Sequence, residues 1–161
     1  MERKKTKVHA EDGKHDIMIT REFDLPLELL FKAHIDPEIF EQWMSHEYGT
    51  TKVVKLEGKK FGSWEFETLD LKGNKVFGAH GVFHEFIPNE KITRTFEMEH
   101  SPYDVQLEFL EFEKLTDETS KLTMHSIYRT VAFRDELLKQ PFSYGLNMAH
   151  NRLQEVVSKL K

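Results

Sequence analysis

Between positions 51 and 130 the chain is an almost unbroken series of extended segments, and this constrains its fold more than any other feature. The segments are "TKVVKLE" (51–57), "FGSWEFETL" (61–69), "KVFGAHGVFHEF" (75–86), "KITRTFEME" (91–99), "DVQLEFLEFEKL" (104–115) and "KLTMHSIYRT" (121–130). They are rich in β-branched and aromatic residues, so each reads as a strand. The links "KGN" (72–74), "PNE" (88–90) and "TDETS" (116–120) are too short for crossover helices, so neighbouring strands are expected to pair antiparallel as a meander. "HDIMITREF" (15–23) carries Ile17, Ile19 and Arg21 on one parity and reads as an earlier, first strand. Alternation breaks at Phe109 and Leu110, where a bulge that bends the sheet is the simplest account.

Helical signals flank this run. Pro26 suits the first turn of a helix in "LPLELLFKAH", and in "DPEIFEQWM" Asp36 can cap a helix whose first position is Pro37, with Ile39, Phe40, Trp43 and Met44 on one face. At the far end Phe142, Leu146, Ala149, Leu153, Val156, Val157 and Leu160 recur at spacings of three and four behind Pro141. That is the apolar stripe of an amphipathic helix over 141–160. Such a helix would be about 30 Å long, close to the length of an eight-residue strand, so it can cross the whole sheet. The expected fold is α+β: a strongly curved six- or seven-stranded antiparallel sheet, two short helices and one long C-terminal helix on the concave face. Residues 1–14 are expected to be a flexible tail ahead of a single domain spanning 15–161.

Composition excludes several functions. A formal charge of −5, with acids and bases interleaved, argues against a nucleic-acid face, which needs clustered cations. The one basic stretch is the "MERKKTK" tail, with Arg3, Lys4, Lys5 and Lys7. No signal-peptide core and no run approaching ~20 apolar residues is present, so neither secretion nor a membrane partner is expected and the predicted location is cytoplasmic. The absence of cysteine removes disulfides, thiolate metal sites and a cysteine nucleophile together.

A straight helix crossing a curved sheet touches it along a line, leaving space beside that line. The residues assigned inward are Trp64, Phe66, Phe96, Met98, Leu107, Phe109 and Met124. They either fill that space as a core or line it as a cavity for an apolar small molecule. Arg94 shares parity with Ile92, Phe96 and Met98. An inward arginine must be paired or must snorkel to a rim. It is either a clamp for a ligand carboxylate or phenolate, whose removal leaves folding intact, or an edge residue. Gly145, on the margin of the apolar stripe, either permits close packing or widens a mouth, and the apolar Tyr144 and Met148 fall on the helix's outer side. A tail, a second subunit or nothing could cover them, so a monomer or weak homodimer is expected.

No phosphate loop, nucleophile elbow or ordered triad is present. His80 and His84 lie ~13 Å apart along one strand and cannot share an ion. His46 with Glu47 reads as a loop surface, and His125 as solvent-facing. Neither a metal, a cofactor nor a catalytic residue is assigned.

The element order, together with "IDPEIFEQW" (35–43), "FGSWEF" (61–66), "GVFHEFIPNEKI" (81–92) and "YGLNMAHNRLQEVV" (144–157), resembles the START-like helix-grip superfamily. Its most similar branch is that of the C-terminal domain of the activator of the 90-kilodalton heat-shock protein ATPase. Asp36, Pro37 and Trp43 match the family's Asp-Pro-then-Trp pattern, Gly62 its strand-entry glycine, and Gly81, Glu85 and Pro88 its strand-to-turn pattern. Ile35, Phe61 and Asn89 depart from it, standing where Thr, a second Gly and a second Pro are frequent, and Phe61 is expected to add bulk near the cavity mouth. The resemblance implies a cavity between sheet and helix that takes lipids, flavonoids or polyketides. The candidate ligand-binding residues are Trp43, Trp64, Phe66, Arg94, Phe96, Met98, Leu107, Phe109, Met124, Leu146 and Ala149. Two alternatives are a cyclase or hydrolase using the same pocket, sensitive to Arg94, His125 or His150, and a partner that regulates a chaperone ATPase.

Overall fold

The computed structural model describes residues 4–161, so Arg3 of the basic stretch lies outside the described residues. Strand β2 (Asp16–Phe23) leads into helices α1 (Leu27–Ile35) and α2 (Pro37–Met44), followed by β3 (Thr50–Leu56), β4 (Ser63–Leu69), β5 (Lys75–Ile87), β6 (Lys91–Met98), β7 (Gln106–Lys114) and β8 (Ser120–Ile127). A short β1 (Lys7–His9) precedes them, and α3 (Val131–Lys139) and the long α4 (Phe142–Ser158) close the chain.

One sheet runs in the order β1-β2-β8-β7-β6-β5-β4-β3, antiparallel throughout. The expected meander is β3 to β8, and β2 returns to pair with β8, from Asp16 opposite Ile127 to Phe23 opposite Ser120. Among the described residues the sheet has eight strands rather than six or seven, because Lys7–His9, inside the stretch expected as tail, adds an edge strand. The register shifts between Val53 and Lys55, between Thr68 and Leu69, and between Phe83 and Glu85. Each shift is a bulge that bends its strand and strengthens the local twist, so curvature is concentrated in the β3–β6 half. No shift occurs at Phe109 and Leu110, where β7 pairs in continuous register on both sides. The expected bulge there is corrected by the opposite phase: Gln106, Glu108, Leu110 and Phe112 face inward and are buried.

The Asp36 carboxylate accepts from Ile39 N at 3.1 Å and starts α2 as expected. Glu41 Oε2 then accepts from Val53 N at 2.8 Å, fixing α2 to the edge of the sheet. Trp43 Nε1 donates to Ala33 O at 2.8 Å, and Arg152 Nε donates to Trp43 O at 3.0 Å, so α1, α2 and α4 are locked to one another through this tryptophan. Helix α3 went unseen in the sequence because its pattern is only weakly amphipathic. It is capped by Thr130, whose hydroxyl accepts from Phe133 N, and it buries Phe133 and Arg134. Arg134 donates to Glu11 O and Asp16 O, holding the β1–β2 connection.

The core falls into two apolar clusters. One, under α1, α2 and the C-terminal half of α4, includes Phe31, Trp43, Leu110, Leu153 and Val157. The other, under α3 and the N-terminal half of α4, includes Ile17, Ile19, Tyr128 and Phe133, with Phe142 and Leu146 against it. Among the described residues no helix is long and apolar enough to cross a membrane.

Gly81 shows how tightly the middle of the sheet is built. A Cβ there would drive into the β6 backbone at Thr95 O and stand 2.8 Å from Trp64 Cε2 of the β4 indole. Gly81→Ala should therefore cost about 1–3 kcal/mol, read as a lowered urea midpoint with unchanged slope. Gly145→Ala is the contrasting control: nothing lies within 4 Å of the added carbon, so the helix should gain about 0.5–1 kcal/mol.

Candidate functional site

Curvature in β3–β6 carries the sheet away from α4, and a cavity of about 470 Å³ lies between them, walled by both core clusters. The aromatic pair Trp64 and Phe66 faces it from β4, the two rings stacked at 5.8 Å with 15° between their planes. Phe96 continues the wall 5.4 Å from Trp64, and Phe40 of α2 meets Phe66 at 5.4 Å. Trp43, Arg94, Met98, Met124, Leu146 and Ala149 also line the space. The two candidates that do not are Leu107 and Phe109. Because β7 runs in the opposite phase to the one expected, they take the outer face, where Phe109 lies 6.2 Å from His125.

The same phase brings in three polar side chains that hydrophobic alternation had assigned outward or passed over: Gln106, Glu108 and, from β8, Ser126. Glu108 is directly opposite Arg94 on β6 and Ser126 on β8, so the three form one row across the concave floor. Arg94 Nε donates to Glu108 Oε1 at 2.8 Å and Gln106 Nε2 donates to Oε2 at 2.8 Å. With side chains 16% and 5% exposed, Arg94 and Glu108 are an internal ion pair rather than a head reaching water. The guanidinium also lies 5.3 Å from the centre of the Trp64 ring, a cation–π geometry. Three buried polar atoms on the wall, Trp64 Nε1, Ser126 Oγ and Tyr128 Oη, have no hydrogen-bond partner. Burial and then the Glu108 charge push the Tyr128 phenol well above its ordinary range; Ser126 acts in the other direction without completing a bond of normal geometry.

Two histidines complete the helical side. His34 Nδ1 donates to Leu30 O at 2.9 Å; burial lowers its pKa to about 4 against the upward effect of that bond, and the Arg94 charge adds a smaller lowering. His150 is lowered to about 3 by burial, His34 and Arg21 in that order. Its Nδ1 meets Thr6 Oγ1 at 2.7 Å, while Arg21 donates to the same oxygen, to Asn147 Oδ1 and to Asn151 Oδ1. Sequence reasoning placed no weight on Thr6, Asn147 or Asn151, and the signal was Arg21, an arginine on a buried parity that had to find oxygens. His125 faces outward as expected and pairs with Asp16 at 2.7 Å, lowering the Asp16 pKa.

A second hollow of about 370 Å³ shares Met44, Phe66, Phe77, Gly145 and Ala149 with the first and continues it toward the surface near Tyr48 and Val76. Gly145 borders both, and open space beyond its Cα decides for the mouth over close packing. Phe61 does not crowd the opening: it is 73% exposed, turned outward by a φ of 66°, and absent from the wall. Asn89 has a φ of 62°, which proline cannot adopt. Tyr144 is 69% exposed, uncovered by the N-terminal segment, which docks instead on the Asn147 side of α4. Among the described residues no group of His, Asp or Glu side chains could hold a metal ion.

The family model described as Activator of Hsp90 ATPase homolog 1-like protein matches residues 24–158. Among solved structures, a protein from Rhodobacter sphaeroides aligns with a TM-score of 0.87 at 15% identity, over 96% of this chain and 99% of that one. One from Mycobacterium smegmatis gives 0.82 at 16%, over 94% and 96%, and one from Arthrobacter aurescens 0.82 at 17%, over 95% and 91%. At such identities the likeness speaks for the fold alone. No curated protein matches the chain.

Two predictions follow from the polar groups. Removing one member of the buried pair strands the other, so Arg94→Met should cost about 3–5 kcal/mol instead of leaving folding intact. Arg94→Met combined with Glu108→Gln should recover most of that loss, as a double-mutant cycle in urea will show. The histidines set the acid side of stability. Both stay neutral when folded down to about 4 and 3, whereas the unfolded imidazole takes a proton near 6.5. The contribution is thus complete above that ordinary value and is lost as pH falls toward the folded values, at up to about 1.4 kcal/mol per pH unit for each group. Urea midpoints between neutral pH and pH ~4 should fall along this slope, and His150→Gln should make it shallower.

Proposed function

The chain belongs to the Activator of Hsp90 ATPase homolog 1-like family, and from that membership and the form of its cavity we propose that it binds a largely apolar small molecule between sheet and α4. The observation that carries this reading is the space itself: about 470 Å³, walled chiefly by aromatic and aliphatic side chains with a few convergent polar groups at one end. That volume and lining are those of small-molecule sites, which run from ~300 to ~1,000 Å³. A core built only for stability would have closed around a void of this size, because each lining group forfeits dispersion contacts across it. Lipids, flavonoids and polyketides are the classes to try first, and the mouth beside Gly145 supplies a path.

Native mass spectrometry of the purified protein should show a retained small molecule or stoichiometric uptake from such a library. A binder at a hundred times its dissociation constant adds ~2.7 kcal/mol, or roughly 5–11 °C in melting temperature for a domain of this size. Leu146→Trp, which fills the cavity from α4, should keep the fold and abolish the shift. A broad library that shifts neither protein, with no retained mass, would remove the reading.

A further inference from the structure

We propose that the occupant of this cavity is an uncharged, largely apolar molecule bearing a carbonyl oxygen, and that the cavity rejects the corresponding carboxylate. The inference rests on the small-molecule reading above and adds the chemistry of the ligand's polar end. It starts from charge. Four residues that are ordinarily charged at neutral pH stand on the wall: Arg94, Glu108, Lys55 and Glu65. Arg94 is neutralised by Glu108 at 2.8 Å; Lys55 is directly opposite Glu65 on the neighbouring strand, and its ammonium lies 3.4 Å from Glu57. The histidines on the wall are held neutral by burial. The lining is therefore balanced, and a carboxylate entering it would carry an uncompensated negative charge into a low-dielectric space beside Glu108.

Hydrogen-bonding capacity is not balanced in the same way. Both Glu108 oxygens are engaged, one by Arg94 and one by Gln106. What remains along the same floor is Trp64 Nε1, which can only donate, and the hydroxyls of Ser126 and Tyr128, which can donate, all three without a partner. The phenol keeps its proton throughout the physiological range. Trp64 is tied to this end by Arg94 over its ring, and Ser126 by its place opposite Glu108. A floor with no net charge and surplus donors recognises a neutral acceptor, and burying an unpaired donor is costly enough to make that recognition selective.

Three probes of nearly equal size separate the possibilities by calorimetry at neutral pH: methyl naphthyl ketone, naphthoate and ethylnaphthalene. The ketone should bind about tenfold more tightly than either of the others. Glu108→Gln leaves Arg94 without its counter-charge, so naphthoate should gain about tenfold while the ketone changes by less than about threefold. Because that single variant can unfold the protein, Arg94→Gln combined with Glu108→Gln provides the companion: it has no charge to strand and should keep the ketone's preference over naphthoate. Naphthoate binding tightest to the parent protein would make Arg94 an anion clamp and overturn the proposal. Equal affinities for ketone and ethylnaphthalene would also overturn it, since the donors then recognise nothing. Both of those outcomes leave small-molecule binding standing; no binding of any probe, by the parent or by the variants, overturns this proposal, and the small-molecule reading falls with it only where the broad library and native mass spectrometry also find nothing.

Discussion

A straight helix cannot follow a bent sheet, and most of what is distinctive about this protein is a consequence of that mismatch. The bulges on β3 and β5 bend one half of the sheet, while α4 keeps a single line. Contact is therefore dense where Leu153 and Val157 meet the first cluster, and dense again where Phe142 and Leu146 meet the second, with the cavity between. The two ends hold the helix independently of what lies in the middle. Polar locks reinforce this: Arg152 ties α4 to α2 through the Trp43 carbonyl, and Thr6, Asn147 and Asn151 tie it to the sheet through Arg21. A void can persist in a stable protein only if its walls are braced from outside, and here they are.

Most of the fold was legible in the sequence because alternation, capping and turn chemistry agreed with one another along most of the chain. Asp36, Pro37 and Pro26 marked helix starts where the structure has them. Where β7 was misread, two phases competed. "QLEFLEFEK" holds Leu107 and Phe109 on one parity and Leu110 and Phe112 on the other. Hydrophobicity chose the first and invented a bulge to reconcile the second. The information that would have decided was on the neighbouring strand: an inward Arg94 requires a carboxylate across from it, and Glu108 supplies one only in the second phase. Pairing of buried charge outranks hydrophobic alternation, because an unpaired buried guanidinium costs more than an outward phenylalanine.

The polar side of α4 was illegible for a different reason. His150 and Asn151 lie off the apolar stripe of α4, yet both are buried. What covers them is the segment through Thr6, whose place could not be read from a lysine-rich stretch. Such burial is long-range: Thr6 and His150 are 144 residues apart, and no local pattern records a contact at that separation. The one trace was Arg21, which stood on a buried parity and needed several oxygens, most of which come from residues distant in sequence.

The buried pair on the cavity floor is poorly explained as a source of stability. An ion pair taken out of water roughly breaks even against apolar residues of the same volume, and often does worse. Two leucines in place of Arg94 and Glu108 would keep the sheet and seal more of the space. The pair instead divides the cavity into an oily region under α2 and α4 and a polar floor across β6, β7 and β8, at no cost in net charge. Gly81 supports the floor from behind, since a Cβ there would drive into Thr95 O and stand 2.8 Å from the Trp64 indole that lies by the guanidinium. The floor is thus a composite of one missing Cβ, one aromatic plate and one neutralised charge, and a change in any of them alters how the other two are held.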